Sequence, residues 1–167
     1  LTLLSFLIAQ SQVTFSEIYH EYDDLDFITD VQHGDLNGDG IPDFILYAVS
    51  TKKLQIGINN NLQKPTFVTI SEGLDARNIA VHDFDQDGDQ DIIGSIVFDD
   101  ESYVWKNDGN GNFTAELLTI TDYNSIHFAD MNDDGVDEMI LGIAGNLNIY
   151  STTGGTITLL STITSEV

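Results

Sequence analysis

The stretch Asp83-Phe84-Asp85-Gln86-Asp87-Gly88-Asp89-Gln90-Asp91, followed by Ile92-Ile93-Gly94-Ser95-Ile96-Val97-Phe98, decides the fold. Oxygen-bearing side chains alternate through a short loop, and a dense apolar run follows at once. The pattern occurs twice more. Upstream stands Asp35-Leu36-Asn37-Gly38-Asp39-Gly40-Ile41-Pro42-Asp43, and downstream Asp130-Met131-Asn132-Asp133-Asp134-Gly135-Val136-Asp137-Glu138. The first Asp recurs after 48 residues and again after 47. A period of about 47 residues is the length of a four-stranded propeller blade.

The flanks repeat as well. β-prone runs precede the loops at Phe27 to Val31, Asn78 to His82 and Ser125 to Phe128. The apolar runs after them are Phe44 to Val49, Ile92 to Phe98 and Met139 to Ile143. They are short, rich in β-branched and aromatic residues, and bounded by turn residues, which predicts buried strands. Third strands are expected at Lys53 to Ile58, Tyr103 to Lys106 and Leu147 to Tyr150. Turn clusters follow at Asn59-Asn60-Asn61, Asn107-Asp108-Gly109-Asn110-Gly111-Asn112 and Ser151-Thr152-Thr153-Gly154-Gly155. Asn and Gly supply the positive-φ positions that hairpins need. Fourth strands are expected at Phe67 to Ile70, Phe113 to Ile120 and Thr156 to Ile163. The fold class is therefore all-β: three four-stranded antiparallel propeller blades, at about 24–71, 72–121 and 122–167. An additional strand at Val13 to Tyr19 resembles a lone fourth strand. Known propellers have four or more blades, so these three repeats are expected to be part of an incomplete propeller, the N-terminal portion of a longer protein.

Residues 1–12 form a separate segment. Leu1 to Ala9 is apolar and small-residue-terminated, as in a secretory signal, but no Met or basic residue precedes it. It reads as a truncated signal peptide ahead of a propeller segment at 13–167. The expected location is therefore secreted or cell-surface. The segment is too short to cross a bilayer, so no membrane insertion is expected.

Composition narrows the function classes. The 167 residues carry 28 acidic and 5 basic side chains, a net charge of −23. Such a surface repels nucleic acid and anionic membranes. The chain has no cysteine, so a metal site must be built from oxygen or imidazole.

The loops meet the oxygen requirement. Side-chain oxygens stand at relative positions 1, 3, 5 and 9: Asp35, Asn37, Asp39 and Asp43; Asp83, Asp85, Asp87 and Asp91; Asp130, Asn132, Asp134 and Glu138. Gly at position 6 allows a sharp turn, and the main-chain carbonyl of position 7 (Ile41, Asp89 or Val136) can add a ligand. Six or seven hard oxygens suit Ca²⁺, at about 2.3–2.6 Å, with one ion per loop and three sites in all. An EF-hand would need Glu at position 12 and flanking helices, whereas position 12 holds Leu46, Gly94 and Leu141. If charge dominates, the second loop, with four Asp ligands and Asp89 beside them, binds tightest.

The sequence resembles the FG-GAP/VCBS repeat family, the blade type also found in integrin α-subunit propellers. The three loops carry the resemblance, together with Trp105-Lys106-Asn107-Asp108-Gly109-Asn110-Gly111-Asn112-Phe113. The resemblance implies a propeller whose calcium loop joins the first and second strands of each blade. Two features depart from it: Glu138 is one methylene longer than Asp, and the first and third repeats lack the NDGNGN turn. Nothing matches an integrin ligand-binding surface, so adhesion is not carried over.

His33, His82 and His127 precede the loops, but calcium does not favour imidazole. His82 and His127 read as packed or rim residues, and Trp105 and the tyrosines as strand-face packing. Asp99-Asp100-Glu101 reads as a solvated turn. No nucleophile–His–acid constellation is detectable. The expected function is a non-enzymatic calcium-binding scaffold for an extracellular protein or carbohydrate. The alternative is the propeller portion of a secreted carbohydrate-active enzyme, on family analogy alone. A purely structural cell-surface protein is a third option.

Overall fold

The structure is a computed structural model and describes residues 27–59, 65–96, 101–120 and 123–164. The segment 1–12 and the strand expected at Val13 to Tyr19 lie outside the described residues. Blade 1 comprises β1 (Ile28–Gly34), β2 (Asp43–Ala48), β3 (Lys53–Ile58) and β4 (Thr66–Glu72). Blade 2 comprises β5 (Ala76–His82), β6 (Asp91–Ile96), β7 (Glu101–Asn107) and β8 (Phe113–Leu118). Blade 3 comprises β9 (Tyr123–Ala129), β10 (Glu138–Ile143), β11 (Asn146–Ser151) and β12 (Thr158–Thr164). Each blade is a four-stranded antiparallel sheet in simple sequential order. The only helical element among the described residues is a 3₁₀ turn, Thr153–Gly155, placed where the sequence predicts a plain hairpin turn.

The chain thus forms all-β propeller blades. β1 lies beside β5, and β5 beside β9, so the first strands of successive blades line up along the inside. Polar side chains tie these strands together. Asp30 Oδ2 accepts the Ile79 amide at 2.9 Å, and Asn78 Nδ2 donates to the Tyr123 carbonyl at 3.1 Å. Asp30 and Asn78 each stand five residues before their loop. In each blade the ladder between first and second strands also slips near this level, a bulge that frees the backbone for the neighbouring sheet.

Two apolar cores fill the spaces between blades. Ile45, Tyr47, Leu54 and Ile56 of blade 1 meet Ile79, Ile92 and Trp105 of blade 2. Ile93 and Val104 of blade 2 meet Ile126, Met139 and Leu141 of blade 3. Neighbouring residues of β6, Ile92 and Ile93, thus serve opposite cores. That explains why β6 is buried at every position, with no polar face.

Candidate metal centre

All three loops fold on the same scaffold of backbone hydrogen bonds. The position-1 carboxylate gathers the amides that follow it. Asp35 accepts from Gly38, Asp39 and Gly40. Asp83 accepts from Asp87 and Gly88, and Asp130 from Asn132, Asp133, Asp134 and Gly135. These amides hold the Asp130 carboxyl below the usual carboxylate range, with Gly135 the largest contributor. The position-5 carboxylate then caps position 7. Asp39 Oδ1 accepts from Ile41, Asp87 Oδ1 from Asp89, and Asp134 Oδ1 from Val136, all at 2.8–3.0 Å.

Such a tight wrap needs two left-handed residues per loop. Position 6 is one: Gly40, Gly88 and Gly135 have φ of 82°, 102° and 87°. Position 4 is the other, and sequence reading missed it. Gly38 adopts φ 73°, but Gln86 and Asp133 both stand at 62°. A side chain there costs about 1–2 kcal/mol, so loops 2 and 3 carry strain that loop 1 avoids.

The position-9 acids do more than the sequence suggests. Asp43 and Asp91 are fully buried, and each clasps two separate backbone segments. Asp43 accepts from Leu36 at 3.2 Å and Asn59 at 2.9 Å. Asp91 accepts from Phe84 at 2.9 Å and Asn107 at 2.8 Å. The same carboxylate therefore staples the second loop residue to the end of the third strand. Burial raises both acids. Asp91 is pushed up to about 6, with Asp85 and Asp87 adding to the rise and the two amides opposing it. In blade 3 the extra methylene of Glu138 changes the grip. Its oxygens accept from the Met131 amide and from Asn132 Nδ2, both at 2.9 Å. In this register the residue equivalent to Asn107 is Thr152, whose buried Oγ1 has no hydrogen-bond partner.

Loop 2 brings its acids closest together. Asp83, Asp85 and Asp91 place oxygens within 4.8 Å of one another, and among the described residues no other three acids, cysteines or histidines do so. That spread is about twice a Ca²⁺–oxygen distance, so one ion can touch all three. Asp85 Oδ1 is sealed from solvent and has no hydrogen-bond partner, an acceptor left for a cation. The donor set is all hard oxygen, and the residues fit calcium. Asp87 is not one of the three. In loops 1 and 3 position 3 is Asn, and its Oδ1 is turned onto the position-5 amide: Asn37 onto Asp39 at 3.0 Å, Asn132 onto Asp134 at 2.9 Å.

Loops 1 and 2 are also flanked by the next blade. Asn107 Nδ2, in blade 2, donates to the Leu36 carbonyl of loop 1 at 3.0 Å and to the Gln90 carbonyl of loop 2 at 3.1 Å. A Cβ on Gly38 would stand 2.9 Å from the Gly109 carbonyl, and one on Gly109 would stand 2.5 Å from Asp89 Oδ2. The NDGNGN turn is thereby wedged between loops 1 and 2. The corresponding turn of blade 3 does the same for loop 2: a Cβ on Gly155 would come within 3.3 Å of Asp85 Cβ.

The other residues weighed in the sequence have plain surroundings. His82 is stacked on Phe128 with ring centroids 4.1 Å apart, and its Nδ1 lies 3.9 Å from Asp137 Oδ2. Burial lowers its basicity, although Asp137 and Asp83 pull the other way. His33 and His127 are exposed. Trp105 is buried in the first core and offers no face to a sugar. Glu101 is the first residue of β7; Asp99 and Asp100 lie outside the described residues. No helix among the described residues is long and apolar enough to cross a membrane.

The profile of the FG-GAP-like repeat matches residues 35–94 and 83–141, each match running from one loop into the strand after the next. The chain belongs to the FG-GAP-like repeat family. Among solved structures it is similar to a lectin of Agrocybe aegerita described by its specific recognition of non-reducing terminal N-acetylglucosamine. The TM-score is 0.57 at 19% identity, over 81% of this chain and 38% of the lectin chain. The likeness is one of fold, and this chain spans well under half of the lectin's length. No curated protein sequence matches it.

Proposed function

We propose that this chain is an extracellular, non-enzymatic scaffold of propeller blades, held rigid by one Ca²⁺ in each of its three loops, that binds a protein or carbohydrate partner. The observation that carries the reading is the oxygen triangle of Asp83, Asp85 and Asp91 with its sealed, unpartnered Asp85 Oδ1. Two of these carboxylates lie close to the bonds that hold the loop together, so filling the triangle and rigidifying the blade are one event. The net charge of −23 and the absence of cysteine suit a protein stapled by cations instead of disulfides. The carbohydrate recognised by the Agrocybe lectin supports a glycan as the partner class.

Thermal unfolding in EGTA and in rising free calcium tests the metal. Each occupied site adds about 2.7 kcal/mol at a hundredfold excess over its dissociation constant. The midpoint must therefore climb with calcium; a midpoint that ignores it rejects the reading. Glycan and protein arrays probed with and without calcium test the scaffold role. Calcium-dependent capture without turnover is the expected result.

A further inference from the structure

Loop 2 differs from both of its sisters at one side-chain ligand position. Position 3 is Asp85, where loops 1 and 3 have Asn37 and Asn132. By side chains at positions 1, 3, 5 and 9, loop 2 therefore carries one more negative charge than the others. It also has a neighbour that they lack. Lys106 Nζ lies 3.5 Å from Asp85 Oδ2 and 3.0 Å from Glu116 Oε2. In the register of the sheets, Lys106 stands opposite the position-9 acid, and its counterparts are Ile58 in blade 1 and Ser151 in blade 3. The extra carboxylate and the extra ammonium thus occur in the same blade and touch.

The contact also shows in the loop's hydrogen bonding. In all three loops the position-1 carboxylate accepts the position-5 amide; Asn37 and Asn132 accept it as well, whereas Asp85 turns to Lys106. The ammonium is partly buried, and a Cβ added to Gly155 of the next blade would stand 3.8 Å from it, so water screens the pair less than a free surface pair.

We propose that Lys106 is the affinity-setting residue of loop 2. Its charge, shared with Glu116, offsets part of the carboxylate charge that Asp85 adds and draws that loop's affinity for a divalent cation towards the level of loops 1 and 3. The inference rests on the calcium reading above. It replaces the expectation, drawn from ligand charge alone, that loop 2 binds tightest. A unit charge acting on a doubly charged ion about 6 Å away, at water-like screening, changes affinity about tenfold.

Calcium titration followed by two-dimensional amide NMR tests this on the whole chain. Gly40, Gly88 and Gly135 donate to the position-1 carboxylates and report loops 1, 2 and 3 separately. In wild type the three midpoints should cluster. In Lys106→Met, which keeps the aliphatic stem, the Gly88 midpoint should fall about tenfold while Gly40 and Gly135 hold still. Glu116→Gln is the companion variant, since Glu116 is exposed and lies outside the loop. It leaves Lys106 to Asp85 alone and should move the Gly88 midpoint to higher calcium. A Gly88 midpoint unmoved in either variant overturns the assignment. If no glycine amide responds to calcium in the wild type, the calcium reading itself fails, and this inference with it.

Discussion

Replacing Asn107 by Ala should cost far more than a turn residue normally does. Its side chain is buried and makes four hydrogen bonds. Nδ2 reaches the Leu36 carbonyl at 3.0 Å and the Gln90 carbonyl at 3.1 Å; Oδ1 accepts from Gly109 and Gly111 at 3.2 Å each. The bond to Leu36 is buried and the other three are partly buried; losing each of the two shorter bonds leaves a carbonyl without that partner, at about 1–1.5 kcal/mol. The longer pair adds about 0.5 kcal/mol each. The expected loss is about 3–4 kcal/mol, or a melting point lowered by about 6–16 °C. Urea unfolding in EGTA measures it without a contribution from calcium. Asn110→Ala is the control: it lies on the same turn but is exposed, with an Nδ2 bond only to Asp108. It should cost under about 0.5 kcal/mol. If Asn107→Ala loses less than about 1 kcal/mol, the bonds to Leu36 and Gln90 do not hold the blades together, and the bracing of loop 1 by blade 2 is refuted.

Gly88→Ala isolates backbone strain: nothing lies within 4 Å of the added Cβ, but φ is +102°. The variant should lose about 1–2 kcal/mol in EGTA, and stability equal to wild type would show that the loop does not need the left-handed turn. Burial raises Asp91 to about 6, so the folded state binds a proton that the unfolded chain releases at about 4. In the metal-free protein this contribution is therefore full below about pH 4 and is lost as the pH rises through about 6. Urea midpoints of wild type and Asp91→Asn across that window check it; parallel profiles would refute it.

The blades were legible in the sequence because their signals are local. Alternating acids with Gly at position 6 mark each loop, and the β-branched runs after them mark β2, β6 and β10. Boundaries moved only slightly: β5 begins at Ala76, not Asn78, and β12 at Thr158, not Thr156. Of the candidate site the sequence offers the loop acids, of which Asp83, Asp85 and Asp91 come together, but not their arrangement. Position 4 hid because Gln86 and Asp133 do not announce a positive φ as Gly38 does. The clasping role of Asp43 and Asp91 hid because their partners, Asn59 and Asn107, lie 16 residues on and are backbone amides, which carry no sequence signal. The Lys106–Asp85 contact needs strand register, which spacing alone does not supply.

The wedging of the blade 2 and blade 3 turns against the preceding blade's loop bears on how such proteins can be cut and recombined. A module excised at the sheet boundaries, residues 72–121, would carry Asp85 away from the Gly155 turn that closes over it, and would strip Gly109 and Asn107 from loop 1. Grafting or shuffling would do less damage with a frame offset by half a blade, starting at one acidic loop and ending after the neighbour's Asn/Gly turn. A graft in that frame carries a complete candidate cradle; one cut along the sheets carries two halves.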